Sequence, residues 1–235
     1  MISTLLPAAA VAVESTIDRE IPLFPAEARH VRDAVVGRQR EFTTVRWCAR
    51  QALGRLGLPV VPILPGHRGA PRWPEQLVGS MTHCAGYRAA VLAPRAEVSA
   101  IGIDAEPNAP LPDRVLDSIS LPEERAWIER LSWSAAEVSW DRLLFSIKES
   151  VYKTWFPLTG RELGFEDALV TVDPVTRTFR ANLLLDRAVR ATGVPTWFDG
   201  RFGTAGGVLL TAIALPARQP DRPADADRRL PSNVG

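Results

Sequence analysis

Three carboxylates and a lysine in this 235-residue chain have the types and spacing to act together on a phosphate. Asp104 and Glu106 close the segment IGIDAE, and an i, i+2 pair on a strand points both side chains to one face. Adjacent carboxylates repel unless a cation lies between them. Mg2+ suits such a pair, because it takes one or two carboxylates and completes its shell with water and phosphate oxygens. A solvated strand end would carry the same letters. Here, though, the apolar run AIGI delivers the pair to a strand's C-terminal end, where ligands of open α/β sheets gather.

The third carboxylate is Glu149, in FSIKESVYK, which also holds Lys148 and Lys153, the chain's only lysines. Ser146, Glu149, Ser150 and Lys153 fall at i, i+3, i+4 and i+7, one polar stripe of a helix otherwise covered by Leu144, Ile147, Val151, Trp155 and Phe156. So wide an apolar arc predicts a buried helix whose stripe lines a cleft. A surface Glu–Lys pair would share the spacing and contribute only a few tenths of a kcal/mol. Lysine offers a compact, tunable charge where arginine offers a planar fork. Both lysines are expected on the reacting helix, with Lys148 turned about 100° from Glu149 and about 140° from Lys153.

Arg38, Arg40, Arg46 and Arg50 gather upstream, and His67 and Arg68 lie between Gly66 and Gly69. Guanidinium groups bind phosphate bidentately, and glycine-flanked amides approach it closely. A solvated basic face is the competing reading for each arginine. His83, ending SMTH, reads as a core histidine or a ligand.

The elements that must position these groups come next. PAEARHVRDAVVGRQREFTTVRWCARQALGRLG reads as helical up to a stop at Gly57. GSMTHC and GYRAAVLAP read as strands meeting near Ala85–Gly86, and VSAIGIDAEP as a buried strand. Ser120 with Glu123, and Ser134 with Glu137, have capping-box spacing and are expected to open short helices. A long helix is expected over 141–156, followed by strands in LGFEDALVTVD, FRANLLLD and GGVLLTAIALP. Phe42 set against Phe145 lays FTTVRWCAR over FSIKESVYK, and GYRAAVLAP over GGVLLTAIALP, although any two amphipathic segments align about this well. The reading is an α/β fold of the α+β kind, two similar subdomains (1–103 and 104–216) related by a pseudo-twofold, with a disordered tail at 217–235. A ligand is expected in the cleft between the halves.

Bulk properties exclude other classes. A net charge of +1 gives no general pull towards nucleic acid or anionic membrane. No apolar run approaches the roughly 20 residues of a membrane span. LLPAAAVAV lacks a charged leader and reads as a strand or ordered arm. Cys48 and Cys84 fit no disulfide framework or zinc spacing, which suits a reducing cytoplasm.

IGIDAE, FSIKESVYK and, upstream of both, GSMTHC together resemble the surfactin-type and enterobactin-type 4′-phosphopantetheinyl transferases. The likeness is closest to actinobacterial members serving fatty-acid and polyketide carrier proteins, and it runs from Arg38 to Leu215. It implies a monomeric pseudo-dimer that binds coenzyme A between its halves. Such an enzyme transfers the phosphopantetheine arm to a serine of an apo acyl or peptidyl carrier protein and releases adenosine 3′,5′-bisphosphate. By resemblance Asp104, Glu106 and Glu149 hold Mg2+, Glu149 is the general base, Asp104 also belongs to the catalytic set, and Lys153 contacts the phosphates. Arg38, Arg46 and His83 match coenzyme A phosphate contacts, with Ser80 and Thr82 nearby. Relatives often carry lysine before the Gly-x-x-Gly loop, where this chain has Pro65, so Arg68 is left to make the loop's phosphate contact. The acids and arginines alone would also serve a metal-dependent hydrolase of coenzyme A or nucleotide pyrophosphates.

Overall fold

Alternating apolar residues and glycine turns build two antiparallel sheets, as seen in a computed structural model that describes residues 1–217. The expected tail lies outside these residues apart from Ala217. The smaller sheet joins β1 (Val11–Ser15), β2 (Leu77–Cys84) and β3 (Tyr87–Pro94) in the order β1-β3-β2. The larger runs β4-β8-β7-β6-β5, from β4 (Val98–Pro107), β5 (Ala168–Asp173), β6 (Thr178–Leu183), β7 (Trp197–Ala205) and β8 (Val208–Pro216). The expected division at 103/104 falls inside β4, so the chain has already joined the larger sheet at Val98.

Each sheet carries one long helix. After α1 (Pro25–Ala28), α2 (Val36–Arg55) packs on β1 and β3 through Cys48, Ala52, Leu53 and Leu92. In the second half α3 (Val115–Ile119) and α4 (Pro122–Ser134) precede α5 (Trp140–Thr159). Leu143, Leu144, Ile147 and Trp155 of α5 enter the core of the larger sheet. Gly102 lets α5 sit directly on β4, since a β-carbon there would strike the Ser150 carbonyl and the Thr154 hydroxyl. That close approach brings the helix stripe to the strand's acids.

The sheets meet along the edges of β2 and β4. Ser80 Oγ accepts the Ile103 N–H and Thr82 Oγ1 accepts the Ala105 N–H, both at 3.1 Å. Hydroxyl groups thus satisfy an edge that no neighbouring backbone pairs.

Three expectations are corrected. The helix expected over 25–57 is broken between α1 and α2. Buried Glu27 ties α1 down by accepting the Phe24 and Ile63 N–H groups and pairing with Arg50 of α2. Pro122 takes the first helical position of α4, so the capping pair is the Leu121 N–H with Glu124, and Ser120 instead closes α3 on the Leu116 carbonyl. Ser134 ends α4 and opens nothing; α5 begins at Trp140. Strand β7, which the sequence reading lacks, contains Gly200 and Gly203. Gly200 is required there because a β-carbon would enter the Phe179 ring.

Candidate active site

β4 brings Asp104 to the seam almost wholly buried, with 4% of its surface exposed. Its Oδ1 accepts the Thr82 hydroxyl at 3.2 Å and lies 2.6 Å from Lys153 Nζ. Among the described residues its Oδ2 is buried without a partner. Glu106, two residues on, is held by Arg142 Nη1 at 3.0 Å. Burial and the Asp104 charge raise its carboxyl pKa, while Arg142 and Lys153 oppose the shift. Glu149 is likewise raised, first by burial and also by Asp104, with Lys153 pulling it down. The carboxylates therefore repel one another, as a cation site requires. Among the described residues no three acidic, imidazole or thiol side chains form a ready-made metal cage. Mg2+ needs none, since waters and phosphate oxygens fill most of its shell.

Across the cleft, Arg38 Nη1 lies 2.6 Å from His83 Nε2. A guanidinium only donates, so Nε2 carries the lone pair and the ring is neutral, its other nitrogen 3.4 Å from Glu41. Burial of the ring's inner side lowers the His83 pKa, Glu41 opposes this, and Arg38 adds to it. Arg46 is buried with its guanidinium over the Phe42 ring, and Nε and Nη2 both donate to the Ile63 carbonyl. Burial brings its pKa down to about 10.

Arg38, Arg46, His83, Glu149 and Lys153 line one cleft of about 620 Å3 between the halves. Arg68 reaches its rim in a left-handed backbone conformation (φ 55°), ion-paired with Glu162 of the opposite half. His67 stacks on Phe156, which stacks on Tyr152, so the Gly66–Gly69 loop already bridges the cleft. A larger groove of about 900 Å3, behind the five-stranded sheet, contains none of the expected site residues.

Some expected residues are placed elsewhere. The Thr82 hydroxyl is committed to β4, while Ser80 lines the cleft with its Oγ accepting the Ile103 N–H and its own proton left to donate. Lys148 is buried on the far side of α5, where it donates to Glu124 at 2.7 Å and to the Ile119 and Phe165 carbonyls. Glu124 also accepts the Leu121 and Val170 N–H groups. Arg50 is turned towards Glu27 and the Pro22 carbonyl, away from the cleft. Arg142 was missed, although it begins the helix stripe at i, i+4, i+7 and i+11 with Ser146, Glu149 and Lys153. Glu41 was missed as well; three residues after Arg38, it left no comparable signal.

Glu149 and Lys153 face Arg38 and Arg46 across a cleft between the halves, with Asp104 behind Lys153, and comparison with known proteins gives the family. Residues 26–93 match the 4′-phosphopantetheinyl transferase N-terminal domain, and residues 100–194 match the 4′-phosphopantetheinyl transferase superfamily. The chain is 53% identical to the 4′-phosphopantetheinyl transferase Svp of Streptomyces mobaraensis over 92% of its length and 90% of that protein. It is 49% identical to PptT of Mycobacterium tuberculosis, covering 81% of this chain and 85% of the relative. Enterobactin synthase component D of Salmonella typhi is 29% identical over 87% of this chain and 82% of its own. The chain belongs to the 4′-phosphopantetheinyl transferase superfamily.

Proposed function

We propose that this enzyme transfers the 4′-phosphopantetheine arm of coenzyme A to a serine of apo acyl and peptidyl carrier proteins, releasing adenosine 3′,5′-bisphosphate. The observation that carries the reading is Asp104, whose buried Oδ2 has no partner while its Oδ1 faces the Lys153 ammonium. Such an oxygen fits a cation, so Asp104, Glu106 and Glu149 are the residues that would hold Mg2+. When bound, Mg2+ neutralises charge on the pyrophosphate undergoing cleavage.

The chain's own groups supply the rest. Glu149, which lines the cleft beside Lys153, is the carboxylate that takes the serine proton. Lys153 supports the departing phosphate as its charge grows. Arg38, Arg46 and His83 bind the nucleotide phosphates from the opposite wall, and Arg68 serves at the rim once released from Glu162. One chain supplies both walls, so the active form in this reading is a monomer built as a pseudo-dimer of two subdomains. Polyketide, nonribosomal-peptide and fatty-acid carriers are the substrate class. No helix among the described residues is long and apolar enough to cross a membrane. Both cysteines are free and buried, which suits work in the cytoplasm.

The test mixes the protein, coenzyme A, Mg2+ and an apo acyl carrier protein, and weighs the carrier. A gain of the phosphopantetheine mass on serine supports transfer. Coenzyme A cleavage with an unmodified carrier would make the protein a hydrolase and overturn the proposal.

A further inference from the structure

We infer that Thr82 is a positioning residue for the metal-binding carboxylate, acting from the opposite half of the molecule. A hydroxyl has one proton and two lone pairs. Thr82 gives its proton to Asp104 Oδ1 and accepts the N–H of Ala105, the next residue along β4. It therefore grips the carboxylate and the peptide behind it together. Lys153 approaches the same Oδ1, so both donors fix one oxygen and leave Oδ2, buried and unpartnered, as the atom available to a cation. Ser80, two residues earlier on β2, bridges β4 in the same way through Ile103 but makes no bond to a carboxylate. The two residues share the work of joining the sheets; only Thr82 also orients the site.

This inference rests on the reading of Asp104 as a metal ligand, and the experiment separates the two. Mn2+ is titrated into the full chain saturated with coenzyme A, with free Mn2+ followed by electron paramagnetic resonance, for the parent, Thr82→Val, Thr82→Ser, Ser80→Ala and Asp104→Asn. Thermal unfolding is recorded on each. Loss of a hydrogen-bond partner behind a metal ligand typically costs on the order of 10- to 100-fold in affinity, the effect expected for Thr82→Val. Thr82→Ser keeps the hydroxyl and should bind as the parent does. Ser80→Ala should lose stability comparably to Thr82→Val yet keep its Mn2+ affinity. If Thr82→Val does not fold, Thr82→Ala, which adds no methyl at the seam, carries the same expectation. Parent-like Mn2+ binding by the Thr82 variant, or equal weakening in Ser80→Ala, overturns the positioning role alone, provided Asp104→Asn has lost the metal. Retention of Mn2+ by Asp104→Asn overturns the metal-ligand reading, and this inference with it.

Discussion

Lys153 Nζ lies 2.6 Å from Asp104 Oδ1, where α5 rests on β4 at Gly102. The contact joins a helix residue to a strand residue 49 positions earlier, and its geometry leaves little slack. Lys153→Arg keeps the charge but replaces a point with a longer planar fork. Displacement of about 1 Å can cost on the order of 10²-fold in rate, so a loss of that size is expected in steady-state transfer to one carrier protein. Parent-like activity would show that position 153 needs only charge.

Lys148 behaves differently. Removing one partner of a buried ion pair costs roughly 3–5 kcal/mol, because the other charge stays buried and unpaired. Lys148→Ala should therefore lose about that much stability in urea unfolding, with Glu124 stranded beneath α5. Lys148→Arg should also destabilise the fold, since three short contacts leave no room for a fork. Unchanged unfolding midpoints would refute the anchoring role.

Glu149→Gln should lower the transfer rate by at least ~10²-fold, as the base is gone and one metal charge with it. A stability signature accompanies this loss. A carboxyl whose pKa is raised on folding contributes stability that is fully present below its unfolded pKa and lost as pH rises through the folded value. In chelator, the stability of Glu149→Gln relative to the parent should thus grow from acidic to neutral pH. A difference independent of pH, read from thermal unfolding, would mean that Glu149 titrates normally.

His83→Ala and Arg46→Ala should weaken binding of coenzyme A more than of its 3′-dephospho form, because their partners in the proposed site are phosphates. Calorimetric titration with both ligands decides this. Equal weakening would move these side chains off the 3′-phosphate.

Elements governed by nearby residues were readable from the chain. The span Val98–Pro107 follows from apolar residues leading into acids, and the β2–β3 hairpin from the turn at Ala85–Gly86. Expectations failed where a distant contact, a neighbouring proline or a glycine overrode the pattern. Glu27 reaches 36 residues along the chain to the Ile63 N–H, and the helix that periodicity makes continuous is interrupted after Ala28 until Val36. Pro122 moves a cap by one residue, and β7 is hidden by two glycines, of which Gly200 makes room for the Phe179 ring. The acids and Lys153 were singled out because strand and helix spacing brings them together, and His83 only through the family resemblance. The Thr82–Asp104 bond crosses from one sheet to the other, and no spacing encodes it.

The seam between β2 and β4 has one more consequence. Each is an outer strand of its own sheet, and an uncovered outer strand is a template for pairing with other chains. Ser80 and Thr82 block that template on β4 with side chains, so the two halves shield each other from aggregation. A fragment beginning near Val98 would present the β4 edge bare, and expressing it alone should yield insoluble protein where the whole chain stays in solution.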